Sequence, residues 1–326
     1  MTMIAIVFPG QGAQKAGMGK SLAERFPMCR QAFEEADAAL GESLSGLCFE
    51  DPEDRLLLTE NAQPAILAMS VAVWRLVEAE GVQPAFAAGH SLGEYSAHVA
   101  AGTISFADAL RTVRRRGRYM QDAVPVGTGA MAAILGLDAV AVGRACEEAA
   151  AEVPGEVVTP ANLNAPGQVV IAGHAAAVTR AGDRAKAAGA KRAIPLAVSA
   201  PFHCPLMQPA EERLAPELRA LWTADPRIPV VANVDAEPKR DAASAIEALI
   251  RQVSSPVRWE DVVRRLLAEG VQTFVELGPG SVLAGLIRKI DRHVTVVSVE
   301  DEEGLERLKA ERRRQKAEGR RLKAEG

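Results

Sequence analysis

Apolar positions along the chain follow two alternating patterns. Short apolar runs bounded by Gly, Pro or Asn mark buried strands, and stretches with apolar residues three and four apart mark helices. Met3–Phe8 is such a run, and Pro9-Gly10-Gln11-Gly12 ends it. Helical patterns follow at 18–40, 62–80, 92–101 and 105–123, with a short apolar run at Val82–Ala88 between the second and the third. Strand-like Ile228–Asn233 and Thr273–Leu277 lie further on. Alternation of this kind predicts an α/β fold with a largely parallel sheet.

Residues 126–195 break the rhythm. Met131–Leu135 reads as a strand and Asp138–Ala150 as a helix. Val157–Asn162 and Gln168–Ala172 then flank Asn164-Ala165-Pro166-Gly167, a hairpin turn signal. Ala175–Ala188 is helical, and Lys191–Pro195 closes the run as a strand. The order β-α-β-β-α-β is ferredoxin-like. It predicts a small domain inserted in the large one, begun near Pro125-Val126-Gly127 and left near Pro195. The core is then 1–125 with 196–300. Residues 301–326, mostly Lys, Arg, Glu and Ala with KAEG twice, are expected to form a solvated terminal helix held by i,i+4 charge pairs.

Composition narrows the function. The chain has 326 residues, enough for a large buried core, and its 48% hydrophobic and 25% charged content is that of a globular protein. A net charge of −4 argues against a general nucleic-acid binder. No apolar run is long enough to span a membrane, and MTMIAIVFPG lacks a signal peptide's basic start. Cys29, Cys48, Cys146 and Cys204 lack CxxC spacing, which indicates neither zinc nor a disulfide framework and fits a reducing cytosol.

The sharpest chemical signal is Gly89-His90-Ser91-Leu92-Gly93, a GxSxG pentapeptide between a strand-like and a helical stretch. In that setting the serine sits on a tight turn as a nucleophile. The two glycines let backbones cross, and the helix N-terminus offers free N–H groups to a developing oxyanion. A serine nucleophile needs a base. Of five histidines, His90 is adjacent and diverges, His98 lies along the same helix, and His174 follows the hairpin. His203, in the rigid loop Ser199-Ala200-Pro201-Phe202-His203-Cys204-Pro205, and His293 remain as candidates. Arg116 lies three residues after Val113 and four before Met120, which turns it inward, while Arg114, Arg115 and Arg118 face elsewhere. A buried guanidinium needs an anion, from the protein or from a substrate. Gln11 follows the first strand in a Gly-flanked loop able to present a backbone N–H. That loop lacks both GxxxxGK[ST] and GxGxxG, so nucleotide binding has no support.

Seven blocks then occur in order: PGQGAQ near the start, GHSLGEYSA at 89–97, RRRGRYMQ at 114–121, NAPGQVVIAG at 164–173, SAPFHCPLM at 199–207, SSPVRWED at 254–261 and ELGPGSVLAGL at 276–286. Together they resemble the malonyl-CoA:acyl-carrier-protein transacylase family of bacterial type II fatty-acid synthesis, from about residue 3 to about 298 in this reading. The charged tail is not part of that pattern. The resemblance implies a hydrolase-like α/β core with an inserted ferredoxin-like subdomain. It implies ping-pong transfer of malonyl from malonyl-CoA to the phosphopantetheine thiol of acyl carrier protein, without metal or organic cofactor; a cytoplasmic monomer is expected. It casts Ser91 as the acylated nucleophile and His203 as its base, with the imidazole held by the backbone carbonyl of Gln252. Arg116 would take the malonyl carboxylate. The N–H groups of Gln11 and Leu92 would form the oxyanion hole, each worth about 3 kcal/mol. Met120, Met131, Asn162, Phe202 and Val282 would line the acyl pocket, where the Phe202 ring would crowd an α-methyl branch by only about 1–3 kcal/mol. Lys186, Lys191, Arg192 and the tail are candidates for docking an acidic carrier.

Three other readings share some of these features. A malonyl-selective acyltransferase of polyketide assembly shares every motif. A thioesterase or carboxylesterase of the α/β-hydrolase type shares the elbow and would use His293 with Asp261 or Glu276 behind it. A non-enzymatic carrier-protein or acyl-CoA binder would not need Ser91, His203 and Arg116 together.

Overall fold

The computed structural model describes residues 2–51, 54–125 and 127–324, with side chains described to residue 317. Val126, at the expected start of the insert, and the final Glu325-Gly326 of the second KAEG lie outside the described residues. Among the described residues there are ten strands: β1 (Ile4–Phe8), β2 (Phe86–Gly89), β3 (Gly129–Leu135), β4 (Val158–Ala165), β5 (Gln168–His174), β6 (Arg192–Pro195), β7 (Val230–Val231), β8 (Pro238–Lys239), β9 (Thr273–Leu277) and β10 (Thr295–Val299).

Six of them form one sheet in the order β10-β9-β1-β2-β7-β8, parallel except for the terminal β7–β8 pair. Alternate residues of β1 enter different cores. Ile6 and Phe8 join the larger apolar cluster, while Ala5 and Val7 join the smaller cluster on the other face. Burial on both faces is why these strands read as continuous apolar runs rather than alternating ones. β1 and β2 are adjacent and parallel, so the loops leaving their carboxyl ends, Pro9–Gly12 and His90–Leu92, meet at one edge. That edge is where open α/β sheets place their ligands.

The other four strands form an antiparallel sheet in the order β4-β5-β3-β6. The helices Ala139–Ala151 and Ala175–Ala187 cover one face and close a separate core around Ile134, Val142, Ile171 and Val178. Met131, Ala161, Val170 and Ala172 join the main cluster instead. One face of this sheet thus serves its own helices, and the other forms a wall of the large body. The Asn164–Gly167 turn forms as expected, with Gly167 at φ 65°.

Three elements differ from the sequence reading. The helical pattern at 18–40 is two helices, Lys20–Arg25 and Pro27–Leu40. Phe26 between them is extended (φ −115°, ψ 113°) because the following proline excludes the helical conformation. The strand expected at Ile228–Asn233 pairs only over Val230–Val231. Pro229 has no N–H to give, and the Asn233 N–H goes to the Glu94 carboxylate at 2.9 Å instead of a strand. The terminal helix, Glu302–Ala324, is not merely solvated. Leu305 and Leu308 are buried, and Arg312 donates to the carbonyls of Glu80 (2.6 Å) and Gly81 (2.8 Å), alongside the expected Arg307–Glu303 pair.

The elbow depends on missing side chains. A Cβ on Gly93 would lie 2.1 Å from the Phe8 carbonyl oxygen, and one on Gly89 would lie 1.9 Å from the Gly93 carbonyl carbon. These are backbone atoms of the central strand and of the helix start, so neither can yield. Gly93→Ala is therefore expected to destabilise the protein by about 3 kcal/mol or more, the upper end of overpacking costs. A urea-unfolding midpoint equal to wild type would show that the crossing is looser than the geometry requires.

Candidate active site

Ser91 sits between β2 and the Gly93–Ala101 helix with φ 51°, a left-handed conformation uncommon for a residue with a Cβ. Hydrogen bonds on both sides hold it there. Its N–H donates to Asn233 Oδ1 at 2.7 Å, and its carbonyl accepts from Gln252 Nε2 at 3.0 Å. Asn233 Nδ2 in turn donates to the Gly89 carbonyl at 2.7 Å.

His203 Nε2 lies 2.6 Å from Ser91 Oγ. Its Nδ1 lies 2.9 Å from the backbone carbonyl of Gln252, which can only accept. Nδ1 therefore carries the proton, and Nε2 presents its lone pair to the serine hydroxyl. His203 is itself in a left-handed conformation (φ 60°) inside its proline-bounded loop. Burial, and then the charge of Arg116, lower its pKa to about 3. The imidazole is neutral over the whole physiological range and ready to take a proton.

Arg116 lies on the Phe106–Asp122 helix, 1% exposed. Nη1 donates to Gln63 Oε1 at 2.8 Å. Nη2 donates to Gln252 Oε1 at 3.0 Å and to Ser91 Oγ at 3.1 Å. The guanidinium also lies 5.5 Å from the centre of the Tyr95 ring. Its hydrogen-bond partners are two amides and a hydroxyl, with no carboxylate among them. Burial lowers its pKa, as expected for a cation so placed. Of its neighbours, Arg115 pairs with Glu217 and Arg118 with Glu60, both facing away as expected. Arg114 is also buried, held by Asn61 and Glu42, so this helix buries two guanidinium groups on different sides.

The loop after β1 lies against the elbow. The His90 N–H donates to the Phe8 carbonyl at 3.0 Å, and a Cβ on Gly10 would lie 2.5 Å from the His90 carbonyl oxygen. Gln11 is fixed through its side chain, which donates to Thr59 Oγ1 at 3.2 Å. The backbone N–H groups of Gln11 and Leu92 have no hydrogen-bond partner among the described residues.

Among the expected pocket residues, Met120, Met131 and Phe202 are buried in one cluster with Leu92 and Tyr95. Asn162 is buried on β4, bridged to Val257. Val282 differs from these in burial: it is 56% exposed at the start of the Val282–Ile290 helix. His90 diverges from the nucleophile, with Nε2 2.9 Å from Asn164 Oδ1 at the tip of the insert hairpin.

The hydrolase arrangement is not present. His293 is exposed after the Val282–Ile290 helix. Asp261 pairs with Arg258, and Glu276 accepts from the N–H groups of Leu283 and Ala284. Sequence reasoning missed Gln63, Glu94, Asn233 and the Gln252 side chain. Amides carry no periodic signal, and only Glu94, three residues past Ser91, lies close enough in sequence to have been suspected. Among the described residues no group of three or more His, Cys, Asp or Glu side chains could hold a metal ion, and no helix is long and apolar enough to cross a membrane.

A strained serine at a strand–helix elbow, a neutral histidine on its hydroxyl and two free N–H groups beside it define a protein of the serine acyl-transfer class. The chain matches the acyl transferase domain family over residues 5–319, which extends well into the charged tail and beyond the blocks read from the sequence. It is 51% identical to the malonyl CoA-acyl carrier protein transacylase of Bacillus subtilis over 94% of this chain and 96% of that protein. It superposes on an acyl carrier protein S-malonyltransferase from Vibrio cholerae with a TM-score of 0.91 at 50% identity, covering 94% of this chain and all of the other. A malonyl-transacylase in complex with a type II polyketide-synthase acyl-carrier protein superposes with a TM-score of 0.90 at 49% identity, over 93% of this chain and 98% of that one. The chain belongs to the malonyl CoA-acyl carrier protein transacylase family.

The state of His203 makes a kinetic prediction. A pKa of about 3 keeps the base form available as pH falls. The rate of Ser91 acylation should therefore show no loss centred near the ordinary histidine value of about 6.5. An acylation rate that falls tenfold per pH unit below that value in stopped-flow measurements would place the working pKa of His203 far higher than its burial implies.

Proposed function

We propose that this chain transfers malonyl from malonyl-CoA to the phosphopantetheine thiol of acyl carrier protein, supplying the extender unit of fatty-acid synthesis. The observation that carries this reading is Arg116, a buried cation 3.1 Å from the nucleophilic oxygen with no carboxylate bonded to it. An acyl group ending in a carboxylate completes such a site, and a guanidinium grips a carboxylate with two parallel hydrogen bonds.

Each step then has a residue. Arg116 takes the malonyl carboxylate and sets the thioester carbonyl against Ser91. Ser91 Oγ attacks the carbonyl carbon while its proton passes to His203 Nε2. The oxyanion is received by the N–H groups of Gln11 and Leu92. As the intermediate collapses, the C–S bond breaks, and the coenzyme A sulfur leaves with the proton from His203. A malonyl–serine ester remains. The carrier thiol enters, gives its proton to His203 and attacks the ester. Collapse breaks the C–Oγ bond and returns the proton to Ser91. The histidine acts twice, as base and then as acid, and needs no net charge at the start or end. Met120, Met131 and Phe202 form the apolar side that confines the acyl chain, and Asn162 is its polar member. Lys186, Lys191 and Arg192, all exposed on the insert, offer positive charge to an acidic carrier.

Intact-protein mass after brief exposure to malonyl-CoA tests the reading. Wild type should gain one malonyl group that added holo-carrier removes, and Ser91→Ala should gain none. Release of free coenzyme A with no adduct at short times would show a hydrolase instead.

Arg116→Ala should lower kcat/KM for malonyl-CoA by about 3–5 kcal/mol, the cost of leaving a desolvated charge without its partner. Acetyl transfer should be kept or improved. Equal losses with both donors would make Arg116 a structural residue.

A further inference from the structure

The mechanism above makes no use of Glu94. This carboxylate is fully buried in the first turn of the helix that follows the nucleophile. Oε2 accepts from the Asn233 N–H at 2.9 Å and from Gln252 Nε2 at 2.7 Å, and Oε1 has no partner. Its two partners are the residues that hold the active site. Asn233 takes the Ser91 N–H and ties down the Gly89 carbonyl. Gln252 donates to the Ser91 carbonyl, accepts from Arg116 and, through its backbone, orients His203. A chain of carboxylate, carboxamide and guanidinium therefore runs from Glu94 through Gln252 to Arg116.

The interposed carboxamide solves an electrostatic conflict. A buried guanidinium without a counter-charge is costly, but one bonded directly to a carboxylate of its own chain has little left for a substrate. At one amide's remove, the negative charge still offsets the cation while leaving its hydrogen-bonding edge open to a ligand. The two groups act on each other in this way. Burial raises the Glu94 pKa to about 7, while the bonds from Asn233 and Gln252 and the charge of Arg116 work against that rise.

We propose that Glu94 is a positioning residue and the remote counter-ion of Arg116, anchoring the Ser91 elbow through Asn233 and Gln252 and setting how tightly Arg116 binds an acyl carboxylate. The inference rests on the reading that Arg116 receives that carboxylate.

The test compares malonyl-CoA with acetyl-CoA in wild type, Glu94→Gln and Glu94→Asp, at about pH 8, above the raised Glu94 value of about 7. Glu94→Gln keeps an oxygen in the Oε2 position for Asn233 and Gln252 but removes the charge that repels the incoming carboxylate. The KM for malonyl-CoA should fall by about fivefold or more, a modest coupling between two sites. The kcat/KM for acetyl-CoA should stay within about twofold. Glu94→Asp keeps the charge but withdraws it by one methylene, so the anchors loosen: kcat should fall with both donors while the preference for malonyl remains. The proposal is overturned if Glu94→Gln moves both donors alike or neither, or if Glu94→Asp leaves both kcat values intact. If Glu94→Gln does not fold, the kcat values of Glu94→Asp decide alone. A wild type with no preference for malonyl would refute the role of Arg116 itself, an outcome distinct from failure of the Glu94 proposal.

Discussion

The arrangement of this site follows from one burial: the Arg116 guanidinium is taken out of water beside the nucleophile and given only neutral hydrogen-bond partners. Gln63, Gln252 and the Ser91 hydroxyl accept from its Nη1 and Nη2 without cancelling its charge. The nearest compensation from a carboxylate arrives through the Gln252 amide. Such a cation is tolerable only in a scaffold that cannot relax around it. The long Thr59–Ala79 helix, buried along most of its length, carries Gln63 and packs against the Phe106–Asp122 helix that carries Arg116. Rigid packing of those two helices holds the charge where collapse onto a surface carboxylate is impossible.

The same constraint explains how the base is tuned. His203 is buried beside Arg116, so desolvation and the neighbouring positive charge act in one direction on the imidazole. A neutral base results without a dedicated device. The Arg116 charge helps keep the histidine deprotonated, and the elbow brings both within hydrogen-bond reach of one oxygen.

Legibility in the sequence followed the range of the signal. The GxSxG elbow is local, and its strand–turn–helix setting was readable from a few residues. Arg116 was readable because helical spacing put it on the face of Val113 and Met120. The insert was readable because its six elements are contiguous. Phe26 and Pro229 show where apolar runs mislead: a proline breaks a helix or empties a strand edge while leaving the hydrophobic pattern intact. The role of the Gln252 carbonyl came only with the family resemblance, since a backbone acceptor leaves no trace in residue type. Gln63 and Asn233 were not readable at all. They reach the site from 53 and 142 residues away, and an amide in a helix or at a strand end looks like any other polar residue. Val282 came from the motif match alone, and its side chain at a helix start is 56% exposed.

A backbone carbonyl in place of a carboxylate as the third member suits this chemistry. A carboxylate on His203 Nδ1 would stabilise the imidazolium formed in each half-reaction, as it does in triads. Here it would also stand beside a buried guanidinium that has no carboxylate bonded to it. Attraction between the two would draw Arg116 from Ser91 and leave the histidine with a competing partner. The Gln252 carbonyl fixes the same tautomer with a dipole instead of a charge, 2.9 Å from Nδ1. The negative charge that the site does admit, Glu94, lies on the far side of the Gln252 amide. Strong electrostatic help to the histidine is given up, and the guanidinium stays free of any carboxylate of its own chain.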